Sequence, residues 1–237
     1  LAAAVVLMTG CAKKEAKASG TLVVWSFTDE LKTMIDKYYS PSHPDVKIVL
    51  HSGPKGRQIE ALHQGRILIA FDRYLPESPE LMTELVCREP ILVALNTRNP
   101  LAQRASLTPA DLREESMIGE QDPSVAMATQ SMFKTLGYEP VFVQKATDMI
   151  SAAVMVAGGF GSSLVPESVQ NLQLPNVVYR PLVSDLGSPL IDLHCAYRRD
   201  ETSPLLIELL KTVREYREQN RRTLMQADYR LTEPSAS

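Results

Sequence analysis

Three short, mostly apolar segments separated by helix-length stretches set the first constraint on how this chain folds. They are residues 21–25 (TLVVW), 46–50 (VKIVL) and 67–71 (ILIAF). Strands without polar alternation are buried on both faces, and strands separated by helices pair in parallel under covering helices. The intervening segments read as helices. Ser26-Phe27-Thr28-Asp29 opens one that carries Leu31, Met34, Ile35 and Tyr38 at helical spacing, and Pro41 and Pro44 stop it. Gly53-Pro54-Lys55-Gly56 turns the chain into a second helix at about residues 57–64, which Gly65 closes. The expectation is α/β, with a β-α-β-α-β opening and a parallel sheet.

The rest of the chain repeats this alternation without an internal repeat. Residues 90–95 (PILVAL), 117–119, 141–143, 163–165, 177–182 and 190–197 read as strands. Residues 109–113, 124–136 and 148–157 read as helices, and 204–217 as an amphipathic terminal helix carrying Leu206, Leu209, Leu210 and Val213. Gly158-Gly159-Phe160-Gly161 follows a helix and precedes a strand, the reverse of a phosphate cradle, so it reads as a helix stop and turn. A polar break at residues 96–104 (NTRNPLAQR) and a return near 186–192 divide the chain. The reading is residues 21–96 plus 192–219 as one lobe, 97–191 as a second, and 220–237 as a flexible tail. Two lobes joined by two crossings make a hinge that can enclose a ligand.

Composition excludes more than it selects. The 237 residues carry a net charge of -3, with 44% hydrophobic and 22% charged side chains. That is ordinary for a globular domain and gives no basic surface for nucleic acid. The chain contains no G-x-S-x-G, H-E-x-x-H, P-loop or dinucleotide fingerprint, and His43, His51, His63 and His194 are dispersed, so no enzyme, metal site or cofactor is expected. Cys87 and Cys195 read as buried free thiols, a disulfide between them being the other arrangement open to them. Leu1 to Met8 is an apolar run ahead of Thr9-Gly10-Cys11, with a tether to residue 20. Met8-Thr9-Gly10-Cys11 resembles a lipobox, which would make Cys11 a lipidation site and a membrane tether; a frayed hydrophobic N-terminus is the plainer alternative.

Ligands of open α/β sheets sit beyond the carboxyl ends of strands, where helix N-termini offer free N–H groups that favour anions. Four such places stand out: Ser26, Phe27 and Thr28; Lys55 beside Gly56-Arg57; Glu120, Gln121 and Asp122; and Asp148 with Met149. Arg73 follows the third strand, where a guanidinium can pair with an acid. Each has a plain reading as well: Thr28, Asp122 and Asp148 as ordinary helix caps, the lysine and arginine as solvated surface charges.

Residues 59–73 (IEALHQGRILIAFDR), 88–118 (REPILVALNTRNPLAQRASLTPADLREESMI) and 156–182 (VAGGFGSSLVPESVQNLQLPNVVYRPL) carry a family likeness. From about Gln58 to Tyr216 the chain resembles the inducer-binding domain of LysR-type transcriptional regulators, nearest the benzoate- and muconate-responsive branch. The resemblance implies a fold like the type II periplasmic binding proteins, two Rossmann-like lobes joined by a two-crossing hinge. It further implies a small carboxylate ligand, an aromatic acid or a muconate-like molecule, and pairing into a homodimer. Ser26 and Arg73 fall at inducer-contacting positions of those regulators, whereas Pro54-Lys55 replaces the usual hydroxyl residue after the second strand. Residues 21–39 and 43–50, with the lipobox, resemble instead the start of a sugar-binding lipoprotein of an ABC transporter, which implies a fusion near residues 50–58.

The function expected is therefore carboxylate sensing by an effector domain without its own DNA-binding helices, cytoplasmic and making no direct contact with nucleic acid. The alternative is an exported, membrane-anchored lipoprotein that captures sugar. A third reading is a ligand-blind fusion whose foreign first strand misplaces the cleft wall.

Overall fold

The computed structural model describes residues 20–25, 34–51, 55–185 and 187–232. Its first sheet has the strand order β2-β1-β3-β9-β4, built from β1 (Gly20–Trp25), β2 (Val46–His51), β3 (Ile69–Asp72), β9 (Leu190–Arg198) and β4 (Leu81–Asn96). β1 is parallel to both β2 and β3, as the apolar runs require, while β9 returns antiparallel between β3 and β4. Helices cover both faces. On one, Leu22, Phe71, Leu193 and Cys195 pack under Leu206, Leu209 and Val213 of α4 (Pro204–Thr232) and under Tyr39, which ends a π-helical turn (Ile35–Tyr39). On the other, Ala61 and Leu62 of α1 (Lys55–His63) close over Ala70 and Ala196.

The second lobe is organised in the same way. β8 (Val177–Pro181) and β7 (Ser163–Pro166) flank the end of β4 antiparallel. β5 (Ser116–Glu120) and β6 (Val141–Ala146) form a parallel pair, and Met117 bridges to Ser162, the residue just before β7. α3 (Met149–Ala157) buries Ala152, Ala153 and Val156 against Ile118 and Val165. Phe133 of α2 (Pro123–Thr135) fills the opposite face with Leu107, Leu112 and Leu182. The turn after α3 needs its glycines: Gly159 has φ +81°, and a Cβ on Gly161 would stand 2.5 Å from the Ser116 carbonyl oxygen.

β4 belongs to both sheets. It pairs with β9 from Leu81 to Pro90, and from Ile91 onward with β7 and β8. The change of partner thus falls upstream of the polar break at 96–104. The first half of this strand escapes an apolar-run reading because Thr83, Glu84, Arg88 and Glu89 interrupt it. Those polar groups are held by partners remote in sequence: Arg214 Nη2 donates to Glu84 at 2.7 Å, and Arg88 grips Asp192 with two bonds of 2.5 and 2.8 Å.

α4 is the larger departure. It runs through Thr232, so the segment from residue 220 is helical up to there rather than a tail. Apolar periodicity stops near Tyr216, but residues 217–232 contain neither Gly nor Pro and are rich in Arg, Gln, Leu, Met and Ala, which sustain a helix by propensity alone. Asn220 also pins it, its Oδ1 accepting from the Arg88 N–H at 2.9 Å. Cys87 and Cys195 are buried free thiols, and burial pushes the Cys195 thiol up to about 12.

Leu209 is fully buried at the junction of α4 and the first sheet. Leu209→Ala should cost about 3 kcal/mol through lost burial and the cavity left behind, measured as a fall in urea midpoint at unchanged slope.

Candidate functional site

A cavity of about 1100 Å³ opens between the lobes at the carboxyl ends of β3 and β5. That volume suits a small organic molecule. Lys55, Asp72, Arg73 and Tyr74 line it from the first lobe; Glu120, Gln121, Asp122, Thr147, Asp148 and Met149 line it from the second. Ile91, Val125, Met132, Ile150 and Leu164 supply apolar wall. The fold therefore brings seven sequence-derived positions together: Lys55, Arg73, Glu120, Gln121, Asp122, Asp148 and Met149. Ser26, Phe27, Thr28 and Cys11 lie outside the described residues.

Arg73 is held in place by its own chemistry. Its side chain is 1% exposed, and Nη2 lies 2.5 Å from Glu89 Oε1. The other Glu89 oxygen accepts from the Ser168 N–H at 3.0 Å. Arg73 thus ties β3 to the crossing strand β4 and, through Glu89, to the second lobe. Asp72 shapes the turn that delivers it, Oδ1 accepting from the N–H groups of Arg73 at 2.7 Å and Tyr74 at 3.1 Å. Asp72 is 6% exposed and lines the cavity, and among the described residues no hydrogen bond reaches its Oδ2.

The helix starts do not stand open for an anion. Asp148 caps α3, Oδ1 accepting from the Ser151 N–H at 2.7 Å, while Oδ2 accepts from the hydroxyls of Thr147 and Ser151, both at 3.1 Å. Asp122 plays the same part for α2, more loosely, at 3.4 Å from the Val125 nitrogen. Its Oδ2 meets Lys55 Nζ at 3.1 Å, an ion pair that spans the gap between the lobes. Lys55 also lies 5.8 Å from the centre of the Tyr74 ring.

Glu120 ends β5 in the middle of this wall. Burial, then the charges of Asp148, Asp122 and Asp72, push its carboxyl up to about 7, and Lys55 offsets them in part. Among the described residues no hydrogen bond or ion pair engages it. Among the described residues the wall therefore holds four carboxylates (Asp72, Glu120, Asp122, Asp148) against two cations, each cation already paired. Asp72, Tyr74 and Glu89 were missed from sequence. The strand-end rule that picked out Arg73 applies equally to its neighbours Asp72 and Tyr74, whereas Glu89 sits mid-strand with no such signal.

Residues 38–218 match the model of the LysR substrate binding domain. The chain belongs to this family. It is 30% identical over 182 residues to the HTH-type transcriptional regulator BenM of Acinetobacter baylyi, covering 75% of this chain and 59% of BenM. It is 32% identical over 166 residues to the HTH-type transcriptional regulator CatR of Pseudomonas putida, covering 68% of this chain and 56% of CatR. The chain thus spans under three-fifths of the length of these relatives, which are regulators of transcription rather than enzymes. Among solved structures, the BenM effector binding domain with its effector benzoate superimposes with a TM-score of 0.69 at 28% identity, covering 91% of this chain and 96% of that one. The LysR-family regulator CbnR shares the fold, with a TM-score of 0.75 at 24% identity over 83% of this chain and 69% of that one.

These matches correct the reading of the N-terminal third. The family match starts at residue 38 and runs unbroken through residues 50–58, and β1 and β2 pair in register over six residues. A fusion to a sugar-binding lipoprotein has no support, and neither has the lipobox or membrane tether; residues 1–19 lie outside the described residues. The impression of a seam arose because a first strand, helix and second strand are common to many proteins of this architecture and carry little family information. Among the described residues no helix is long and apolar enough to cross a membrane.

Two outcomes follow from the electrostatics. The folded protein holds a proton on Glu120 that the unfolded chain, with an ordinary value of 4.5, releases. The folded state binds more protons between these values, so stability falls as pH rises from 4.5 toward about 7 and then levels off. Glu120→Gln removes the penalty: it should be more stable than the parent by on the order of 2 kcal/mol at pH 8 and equal near pH 4, read from thermal melts. Glu89→Gln should instead destabilise by about 3 kcal/mol in chemical denaturation, because it uncovers the buried Arg73 charge.

Proposed function

We propose that this chain is the effector-sensing part of a LysR-type transcriptional regulator and binds a small organic carboxylate in the cavity between its lobes. The observation that carries this reading is the cavity itself, walled by both lobes and bridged by the ion pair of Lys55 with Asp122. A ligand carboxylate can take the place of Asp122 on Lys55, which leaves Arg73 to its structural pairing with Glu89. The apolar residues Ile91, Met132 and Ile150 then cover the carbon skeleton. The likeness to the BenM domain with its effector benzoate supports an acid of aromatic or muconate-like size. In this reading Glu120, Gln121, Asp148 and Met149 orient the remainder of the ligand. Operator binding belongs to parts of the regulator outside residues 38–218, and the sensing domains pair as a homodimer.

A thermal-shift panel of benzoate, salicylate, muconate and amino-substituted acids tests the proposal. A ligand at a hundred times its Kd should raise the melting temperature by roughly 5 °C or more, since it binds only the folded state. Lys55→Met should remove the shift. Silence from every carboxylate, with or without an amino group, overturns the reading.

A further inference from the structure

The charges in the cavity narrow the ligand beyond "a carboxylate". We infer that the effector is a zwitterion, a small amino acid whose ammonium group faces Glu120, Asp72 and Asp148 while its carboxylate takes Lys55. This inference rests on the proposed function and adds the cationic group to it.

Three observations carry it. The two cations that the described residues give the wall are engaged within the protein, Lys55 with Asp122 at 3.1 Å and Arg73 with Glu89 at 2.5 Å. Asp72 is 6% exposed and lines the cavity, and no hydrogen bond from the described residues reaches its Oδ2. Glu120 lines the same cavity with no hydrogen bond or ion pair to its carboxyl among those residues. A plain carboxylate that displaced Asp122 from Lys55 would leave four protein carboxylates facing one negative ligand in a partly desolvated space. Like charges at such range repel strongly. An ammonium on the same ligand reverses the sign of that interaction. It gains charge-assisted hydrogen bonds to Glu120, to which no described residue donates, and to acceptor oxygens of Asp72 and Asp148, and it compensates the Asp122 that the ligand carboxylate frees. A cation without a carboxylate would satisfy the acids but leave nothing to compete for Lys55.

Matched probes test this with the full chain. Isothermal calorimetry at pH 7.5 would compare the common amino acids with their deaminated acids and with their decarboxylated amines. At least one amino acid should bind ten-fold or more tightly than both of its truncated counterparts. Glu120→Gln should weaken that amino acid at least ten-fold and strengthen its deaminated acid, which then faces one repelling carboxylate fewer. Deaminated acids binding as tightly as the amino acids would overturn the zwitterion while leaving the carboxylate reading standing. Amines binding as tightly as the amino acids would overturn the role of Lys55 in both readings, and no binding by any of the three series would overturn both. The comparison of matched probes on the parent chain holds even if Glu120→Gln fails to fold.

Discussion

The strand β4 passes from one sheet into the other, and the buried charge cluster at its crossing fixes how the lobes meet. Glu89 sits where the strand leaves β9; one of its oxygens holds Arg73 from β3 and the other the backbone of Ser168 in the second lobe. Three separate segments thus converge on one side chain. A buried ion pair of this kind contributes little net stability, because desolvation offsets most of the attraction, but breaking it is costly. Its use here is geometric: it sets the position of Asp72, Arg73 and Tyr74 at the cavity floor relative to the second lobe. An arginine committed in this way is poorly placed to let go for a ligand. The lysine 18 positions earlier in the chain, at the start of α1 and facing Asp122 across the gap, is the cation that can exchange.

The same contrast explains the electrostatics of the wall. Asp122 and Asp148 satisfy the amides at the starts of α2 and α3, so the positive ends of those helices are neutralised by the chain itself before any ligand arrives. Glu120 lies behind them with neither amide nor cation in bonding reach among the described residues, and burial, then the charges of Asp148, Asp122 and Asp72, raise its pKa. Helix starts converging on a gap do not by themselves make an anion site; the identity of the cap decides the sign of the field.

Much of this architecture is legible in the sequence. The runs at β1, β2 and β3 announce a parallel sheet covered on both faces, and the cap at Asp148 and the stop at Gly158 bound α3 within a residue. What escaped had a physical reason each time. The first half of β4 carries charges that look solvated until Arg214 and Asp192, more than a hundred residues away, are brought beside them. The far end of α4 runs on past Tyr216 through residues that favour helix by propensity. In the site, Lys55, Arg73, Glu120 and Asp148 could be named from strand ends and helix starts, because that rule follows from backbone geometry alone. Their pairings could not, since Lys55–Asp122 and Arg73–Glu89 depend on how two lobes and a crossing strand are set in three dimensions.

Those pairings also bear on how an occupied cavity would act on the rest of a regulator. A ligand shifts a conformational equilibrium only through contacts that differ between the states. In the described structure the gap is already bridged by Lys55 and Asp122, one group from each lobe, so closing the cleft around a ligand need not create the first link across it. With a zwitterionic ligand that single ion pair gives way to two, the carboxylate with Lys55 of the first lobe and the ammonium with the acids, Glu120 and Asp148 of the second lobe among them. The lobe separation then depends on the length of the ligand between its two charged ends rather than on the reach of Lys55. A molecule with only one charged end would release the pair without replacing the bridge, and would loosen the lobes rather than set them.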